Sequence, residues 1–152
     1  MLQGKTTFSF ISDGADLYEK RIKRFIDFNI KVLPAPKNAG RLAEEELKLH
    51  EGSAILKRIN PADYVVLLDE NGKALSSRKF ASFIQKAMLR SERHVVFIVG
   101  GAYGFSGEVQ ARANFQLSLS AMTFSHQIIR VLFLEQLYRA FTILRGEPYH
   151  HD

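Results

Sequence analysis

The feature that most constrains this chain is an apolar run, Val95 to Val99, that passes directly into the glycine-rich segment 100–104. A short, continuously apolar run is typical of a strand buried on both faces, as in a parallel sheet. In open α/β sheets, ligands bind outside the carboxyl ends of the strands. The run therefore favours an α/β fold with a ligand site at segment 100–104.

Hydrophobic spacing predicts helices that alternate with strands along the chain. The predicted helices cover about 13–28, 41–57, 80–88, 108–116 and 127–144, and the predicted strands cover 30–33, 64–68 and 95–99. The acidic and glycine-containing stretch 69–72 is a turn signal that closes the second of these strands. This alternation predicts an α/β fold with a mainly parallel sheet flanked by helices. The length of 152 residues fits a single domain over 1–152.

Composition narrows the class of protein. No apolar run approaches the roughly 20 residues that span a bilayer, and Met1 to Lys5 lacks the layout of a secretory signal, so we expect a cytoplasmic protein without a membrane segment. The chain has no cysteine, which excludes disulfides, thiolate metal sites and cysteine nucleophiles. The formal charge of +5 leans modestly towards an anionic partner.

The glycine-rich segment lacks the spacing of two phosphate-binding motifs. Gly100, Gly101 and Gly104 do not form G-x-G-x-x-G, and no lysine follows them as in a P-loop. A nicotinamide or nucleoside-triphosphate site is therefore disfavoured. The glycines either let a ligand approach the backbone or make a tight turn from strand to helix.

A second segment, Leu119–Ser125, mixes small hydroxyl residues with apolar ones before a long apolar helix. One interpretation is a helix cap preceded by a buried strand. The other is an irregular loop whose backbone groups recognise an adenine edge or a ribose. We expect this loop to lie beside the Gly100 turn only if the strands leading into the two segments are neighbours.

Two polar pairs interrupt the long apolar helix. His126 and Arg130 are four residues apart and share a helical face, as do Glu135 and Arg139. An arginine in so apolar a helix is costly to bury unless it forms an ion pair or has a functional role. For Glu135 and Arg139, an intrahelical ion pair and a functional role both remain open.

The chain ends with a chemically unusual tail that contains Tyr149 and His150. A second imidazole follows at once, but without another cluster at ligand spacing this is a weak metal signal, and we expect no metal. The serines of the chain lack a nucleophile elbow, so a hydrolase is equally disfavoured.

A set of short motifs spread over nearly the whole chain carries a resemblance to a known family. The motifs are Gly4-Lys5, Tyr18–Ile22, Glu51-Gly52 with Ile55-Leu56, Leu68-Asp69 with Gly72-Lys73, Phe97–Gly101 with Gly104, Ser118–Ser120 with Met122–His126, Arg130, Glu135–Ala140 and Pro148–His150. Together they resemble the large-subunit (23S) rRNA pseudouridine N3-methyltransferase family of the SPOUT superfamily.

The resemblance implies a homodimer with a deep trefoil knot in its C-terminal half, where S-adenosylmethionine binds in a bent conformation. The implied cofactor contacts are Leu68, Gly100, Leu119, Ser120, Ala121, Met122, Thr123 and Phe124. These positions fall in the segments that the residues themselves had marked.

The implied reaction methylates N3 of a pseudouridine in 23S rRNA of the assembled ribosome, without a metal. An imide N–H is a poor nucleophile until its proton leaves, so the site needs a base or a group that stabilises the anion. We expect Tyr149 or His150 to approach the base edge, with His126 as a further candidate and Arg139 stabilising charge or holding a phosphate. The alternative is a non-catalytic basic module that binds RNA or the ribosome, which the charge alone would allow.

The start of the chain departs from the family pattern. Only Met1, Leu2 and Gln3 precede Gly4, where the family has a strand of about six residues. The first strand is thus expected to be shortened or absent. We expect the sheet to lose a strand or to expose an unpaired edge there, at a cost in stability.

Overall fold

A computed structural model describes residues 1–36, 39–89 and 94–149 of the chain. The elements in chain order are β1 (Leu2–Gln3), α1 (Ser9–Ile22), β2 (Lys31–Val32), a 3₁₀ turn (Ala39–Arg41), α2 (Glu44–Leu56), β3 (Tyr64–Ala74), α3 (Ser77–Leu89), β4 (Val95–Val99), α4 (Gly107–Arg112), β5 (Phe115–Ser118) and α5 (Ile128–Arg145).

The described strands form one five-stranded sheet in the order β2-β1-β4-β3-β5, and every pairing is parallel. The predicted α/β class with a mainly parallel sheet is confirmed. The trefoil knot stays an expectation from the resemblance.

The sheet is apolar on both faces because helices cover both. Side chains alternate along β3, so that Val66 and Leu68 enter a core shared with α1, α3 and α5. Val65 and Leu67 point the other way, into a smaller core with α2 and α4. This two-sided burial explains why the strand sequences are continuous apolar runs rather than alternating ones.

Two predicted helices are wrong at their C-terminal ends: α1 covers Ser9–Ile22 instead of about 13–28, and α4 is shorter than predicted as well. Helix α4 stops at Arg112 and strand β5 starts at Phe115, whereas the spacing predicted a helix through Gln116. The Asn114 side chain accepts a hydrogen bond from the Val65 backbone N–H at 2.8 Å and directs the chain alongside β3. Such a long-range backbone contact leaves no trace in local periodicity.

The predicted turn at 69–72 is an interruption within β3 rather than its end. The pairing of β3 with β5 shifts register between Leu68 and Lys73, and both residues pair with Leu117. Gly72 lets the chain pass close to the backbone of β5 at this point, since a Cβ on residue 72 would lie 2.7 Å from the Gln116 carbonyl carbon. A side chain at position 72 would force the backbone of β5 to move.

The shortened first strand lies inside the sheet, so the expected loss of a strand is wrong, whereas the expected unpaired edge is present along the start of β4. Strand β1 sits between β2 and β4 but pairs with β4 only at Leu2 and Ile98. A cavity of about 610 Å³ lies beside Met1. The Met1 amino group donates to the Asn29 carbonyl at 2.7 Å, and burial lowers its pKa to about 6.

An apolar extension of three residues ahead of Met1 is expected to continue β1 beside β4 and to raise the melting temperature.

The free energy of unfolding of the unextended chain is expected to depend on pH through the Met1 amino group. Because the amino group has a pKa near 8.0 when unfolded and about 6 when folded, the unfolded state binds more protons between those values. The free energy of unfolding of the unextended chain should therefore fall by about 2 kcal/mol as pH falls from 8 to 6, measured by calorimetry.

A Gly-Ser-Gly extension is the control for this experiment. It moves the charged terminus out of the sheet as well, so it should remove the pH dependence without filling the cavity beside Met1 with apolar side chains. Equal melting temperatures for the apolar and the Gly-Ser-Gly chains would contradict the proposed fit of an extended β1.

Candidate functional site

The carboxyl ends of three parallel strands open onto one cavity of about 680 Å³. Leu68, Val99 and Leu117, from β3, β4 and β5, form its floor. Residues of the segments that follow the strands line its walls. Among the positions predicted from the sequence, the lining includes Leu68, Gly100, Leu119, Ser120, Met122, Thr123, Phe124 and His126. Ala121 belongs to the same loop but does not line the cavity.

The two predicted walls meet although their strands are not neighbours. Strand β3 lies between β4 and β5, so Leu68, the last residue of β3 before its interruption, separates the Gly100 turn from the Leu119 loop. The condition that the two strands must be adjacent was therefore wrong. A single intervening strand, about 4.8 Å from each neighbour, leaves the walls close enough to share one cavity.

The glycine segment is both a tight turn and a place of close approach. Gly104 has a φ of 80° and its N–H bonds to the Gly101 carbonyl at 3.3 Å. A Cβ on Gly100 would lie 3.1 Å from the Phe105 ring, and one on Gly101 would overlap the Glu51 carboxylate. Burial raises the pKa of Glu51 above its usual range.

Hydroxyl groups hold the Leu119–Ser125 loop in shape. The Ser118 hydroxyl donates to the Ser120 carbonyl, and the Ser120 hydroxyl accepts from the Met122 N–H, both at 2.9 Å. The Thr123 hydroxyl donates to Glu70 at 3.3 Å and ties the loop to the segment after Leu68. These three hydroxyl groups therefore stabilise the conformation of the loop.

Backbone donors of the same loop are left for a ligand. Within the described part of the chain, the N–H groups of Ala121, Thr123 and Phe124 have no hydrogen-bond acceptor. The side chains of Met122 and Phe124 are exposed at the cavity. This arrangement matches the second interpretation of the segment, an irregular loop with free backbone groups.

Charged residues that sequence reasoning missed also line the cavity. Glu44 and Lys48 reach it from α2, and Asp69 and Glu70 reach it from the interruption in β3. The position of Asp69 directly after a buried strand was a usable signal. Nothing in the sequence pointed to α2, because only the tertiary packing brings that helix to the cavity.

His126 lies at the cavity immediately before α5. Ser125 precedes it and accepts the first helical N–H groups through its hydroxyl and its carbonyl. Partial burial, and then the charge of Arg130, lower the pKa of the His126 imidazole. The imidazole is therefore neutral at pH 7 and presents a lone pair as hydrogen-bond acceptor.

Arg130 is buried, with 1% of its surface exposed, in the first turn of α5. Its guanidinium donates to the Thr6 hydroxyl at 2.9 Å and lies against Gly4, where a Cβ would be 3.3 Å away. Burial lowers its pKa. Gly4 of the N-terminal motif thus makes room for this arginine and joins the segment after β1 to α5.

The other polar pair of α5 belongs to a second cluster. Glu135 accepts from the Arg139 Nε at 3.0 Å and also from its Nη2, which confirms the predicted ion pair. Tyr149 donates to the same carboxylate at 3.3 Å, and its hydroxyl lies 3.4 Å from that of Tyr18. The Arg139 guanidinium covers the Tyr149 ring at 4.8 Å.

These contacts determine the protonation of Tyr149. Burial, the hydrogen bond with Tyr18 and the charge of Glu135 all raise the pKa of the Tyr149 hydroxyl. It therefore stays protonated at neutral pH and can act as a hydrogen-bond donor rather than as a base. The prediction for His150 falls outside the described residues.

The second cluster and the cavity lie apart within one chain. Ile129 lines the cavity, whereas Arg139 lies ten residues further along α5, about 15 Å along the helix axis. Neither Arg139 nor Tyr149 lines the cavity. The structure thus joins the predicted cofactor positions and His126 in one place, and Arg139 and Tyr149 in another.

Comparison with known proteins identifies the class of this fold and site. The family model described as "Predicted SPOUT methyltransferase" matches residues 1–150. The chain belongs to the SPOUT methyltransferase family.

Similar proteins carry a more particular name, "Ribosomal RNA large subunit methyltransferase H". One from Parabacteroides distasonis is 46% identical over 149 residues, covering 98% of this chain and 95% of the relative. One from Christiangramia forsetii is 47% identical over 148 residues, covering 97% and 94%. One from Porphyromonas gingivalis is 45% identical over 152 residues, covering 100% and 97%.

None of the helices at 1–36, 39–89 and 94–149 has the length and apolar character needed to cross a bilayer. The same ranges contain no group of three or more His, Cys, Asp or Glu side chains positioned to hold a metal ion.

The His126 imidazole is expected to titrate below 6.5, measured by the pH dependence of its NMR signals. Replacing Arg130 by Gln should move the midpoint upward, because it removes a positive charge that disfavours protonation. Since the folded imidazole resists protonation, the unfolded state binds more protons below pH 6.5. The free energy of unfolding therefore decreases as the pH is lowered below 6.5. A midpoint above 6.5, or one that Arg130→Gln leaves in place, would contradict this account.

Proposed function

We propose that this chain is an S-adenosylmethionine-dependent methyltransferase that methylates N3 of a pseudouridine in 23S rRNA of the assembled ribosome. Family membership and the names of the similar proteins support methyl transfer to large-subunit rRNA. The observation that carries the proposal is the cavity at the carboxyl ends of β3, β4 and β5, lined by Leu68, Gly100 and the Leu119 loop.

The cavity suits the proposed cofactor in size and chemistry. Its volume of about 680 Å³ lies within the range of roughly 300–1,000 Å³ common for small-molecule sites. Leu68, Val99 and Leu117 offer an apolar surface for an adenine ring. The free N–H groups of the loop suit its edge, and Asp69 and Glu70 place negative charge near a cationic sulfonium.

S-adenosylmethionine, when bound, supplies an electrophilic methyl group on its sulfonium. The protein must then remove or share the N3 proton of the base and hold the nitrogen in line with that methyl group. Neutral His126 is one candidate acceptor for the proton, and His150 of the tail is another. Tyr149 and Arg139 are donors that would stabilise the resulting anion on the base.

A homodimer reconciles the two separated groups of residues. In a single chain the Arg139 cluster is about 15 Å along α5 from the cavity, so a second copy would have to bring its tail to the cavity. Exposed apolar side chains suit such an interface: Phe8 and Phe10 stack at 5.7 Å near the start of α1, and Leu17 and Ile128 are 47% and 40% exposed. Surface apolar groups of this kind mark protein contacts.

A cytoplasmic location follows from a ribosomal substrate. A non-catalytic module that binds RNA or the ribosome is not favoured, because a pure binding role gives no reason for the cavity. Titration calorimetry with S-adenosylmethionine separates the two: the methyltransferase should bind it, with a Kd in the micromolar range, roughly −8 kcal/mol, and the module should give no heat.

The roles of the tail are tested by methylation of purified ribosomes, followed by mapping of the modified nucleotide. Arg139→Ala and Tyr149→Phe are each expected to lower kcat about 10²- to 10³-fold, the loss typical of a donor that stabilises an anion. The Kd for S-adenosylmethionine should change far less than kcat, because within their own chain neither residue lines the cavity. Arg41→Ala, an exposed arginine on the 3₁₀ turn, is the control. Wild-type rates for both variants would refute these roles.

The homodimer is tested by complementation. Arg139→Ala and Thr123→Trp, which crowds the cavity, should each be inactive alone. After random mixing of subunits, half of the dimers pair the two variants and have one intact tail facing one intact cavity. Activity should thus recover to about a quarter of the wild-type level. A monomer by sedimentation, or no recovery in a mixed dimer, would contradict the arrangement.

A further inference from the structure

A continuous row of aromatic rings runs from α1 across α5 to the tail. Tyr138 is at its centre, with ring centroids 6.0 Å from Tyr18, 5.9 Å from Phe25 and 4.8 Å from Tyr149. Tyr18, Phe25, Tyr138 and Tyr149 are all partly exposed. We call these four rings the aromatic row.

Three arginines lie over the aromatic row. The Arg21 guanidinium is 5.6 Å from the centroid of Tyr18 and 5.4 Å from that of Tyr138. Arg145 lies 4.5 Å from the Phe25 centroid, and Arg139 covers Tyr149. Each of the four rings therefore has a guanidinium within 5.6 Å of its centroid.

Among the residues that the structure describes, two of these cations have no anionic partner. Arg139 is paired with Glu135, and nearby Glu19 is paired with Lys23 at 2.7 Å. Within the described part of the chain, Arg21 and Arg145 have no carboxylate within 4 Å and donate no side-chain hydrogen bond. Their N–H groups are thus held in place by the rings while remaining available at the edge of each guanidinium.

This geometry suits a phosphate ligand. A guanidinium that stacks on a ring keeps its in-plane N–H donors free, and it can bind phosphate oxygens in bidentate fashion with little further loss of entropy. RNA presents such phosphate oxygens along its whole backbone.

We propose that Arg21 and Arg145 bind backbone phosphates of the RNA substrate beside the nucleotide that reaches Tyr149. This inference rests on the proposed function and extends it by naming the face that holds the RNA. It uses two residues outside both the cavity and the Glu135 cluster.

The experiment measures methylation of ribosomes and filter binding of protein-free large-subunit rRNA over a range of salt concentrations. Arg21→Ala and Arg145→Ala should each raise KM for ribosomes about 5- to 10-fold with little change in kcat. Each should also reduce the slope of log Kobs against log salt by roughly 0.7–0.9, the change for one phosphate contact. Arg21→Lys should keep the slope and recover only part of KM, since lysine retains the charge but not the planar stack.

Arg41→Ala removes the same charge from an exposed position away from the row and is the control. Calorimetry with S-adenosylmethionine and the wild-type methylation rate report on the proposed function separately. If the wild type methylates while Arg21→Ala and Arg145→Ala match Arg41→Ala in KM and salt slope, the RNA face is wrong and the proposed function stands. A loss of dimer in either variant with an unchanged salt slope would overturn the inference too.

Discussion

The parallel pairing of β3 with both β4 and β5 is the constraint on which the rest of the structure depends. Because all three strands run the same way, Leu68, Val99 and Leu117 end at one edge of the sheet and leave their following segments to enclose a cavity. The pairing of β3 with β5 is also interrupted at 69–72, where Gly72 lets the chain pass close to the backbone of β5. The cavity is thus a direct consequence of strand order.

Helix α5 connects the cavity with the Glu135 cluster. Its start borders the cavity, where Arg130 is buried against the segment after β1; partial burial, and then the charge of Arg130, lower the pKa of His126. Its second half packs along α1 and binds the tail through Glu135 and Arg139. A rigid helix of 18 residues keeps these groups apart. Separation within one chain is what makes a second copy an attractive way to unite them.

Several features were predictable from the sequence because their causes are local. Strand β4 has the predicted bounds, and Gly146 ends α5 in the left-handed conformation that a glycine favours. The ion pair of Glu135 with Arg139 follows from their spacing of four residues. Other features have distant causes. The side chain of Asn114 shortens α4, and the place of β1 inside the sheet depends on pairing with two strands far along the chain.

By itself, the sequence determined the α/β class, the segments that form the cavity and the residues with unusual chemistry, since each follows from hydrophobic spacing, glycine positions or residue type. Only the tertiary structure decided which strands are neighbours, that Glu44 and Lys48 reach the cavity, and that Arg139 and Tyr149 lie away from it. The physical reason is that local patterns encode which face of an element is buried, whereas the partner that buries it is chosen by packing over the whole chain.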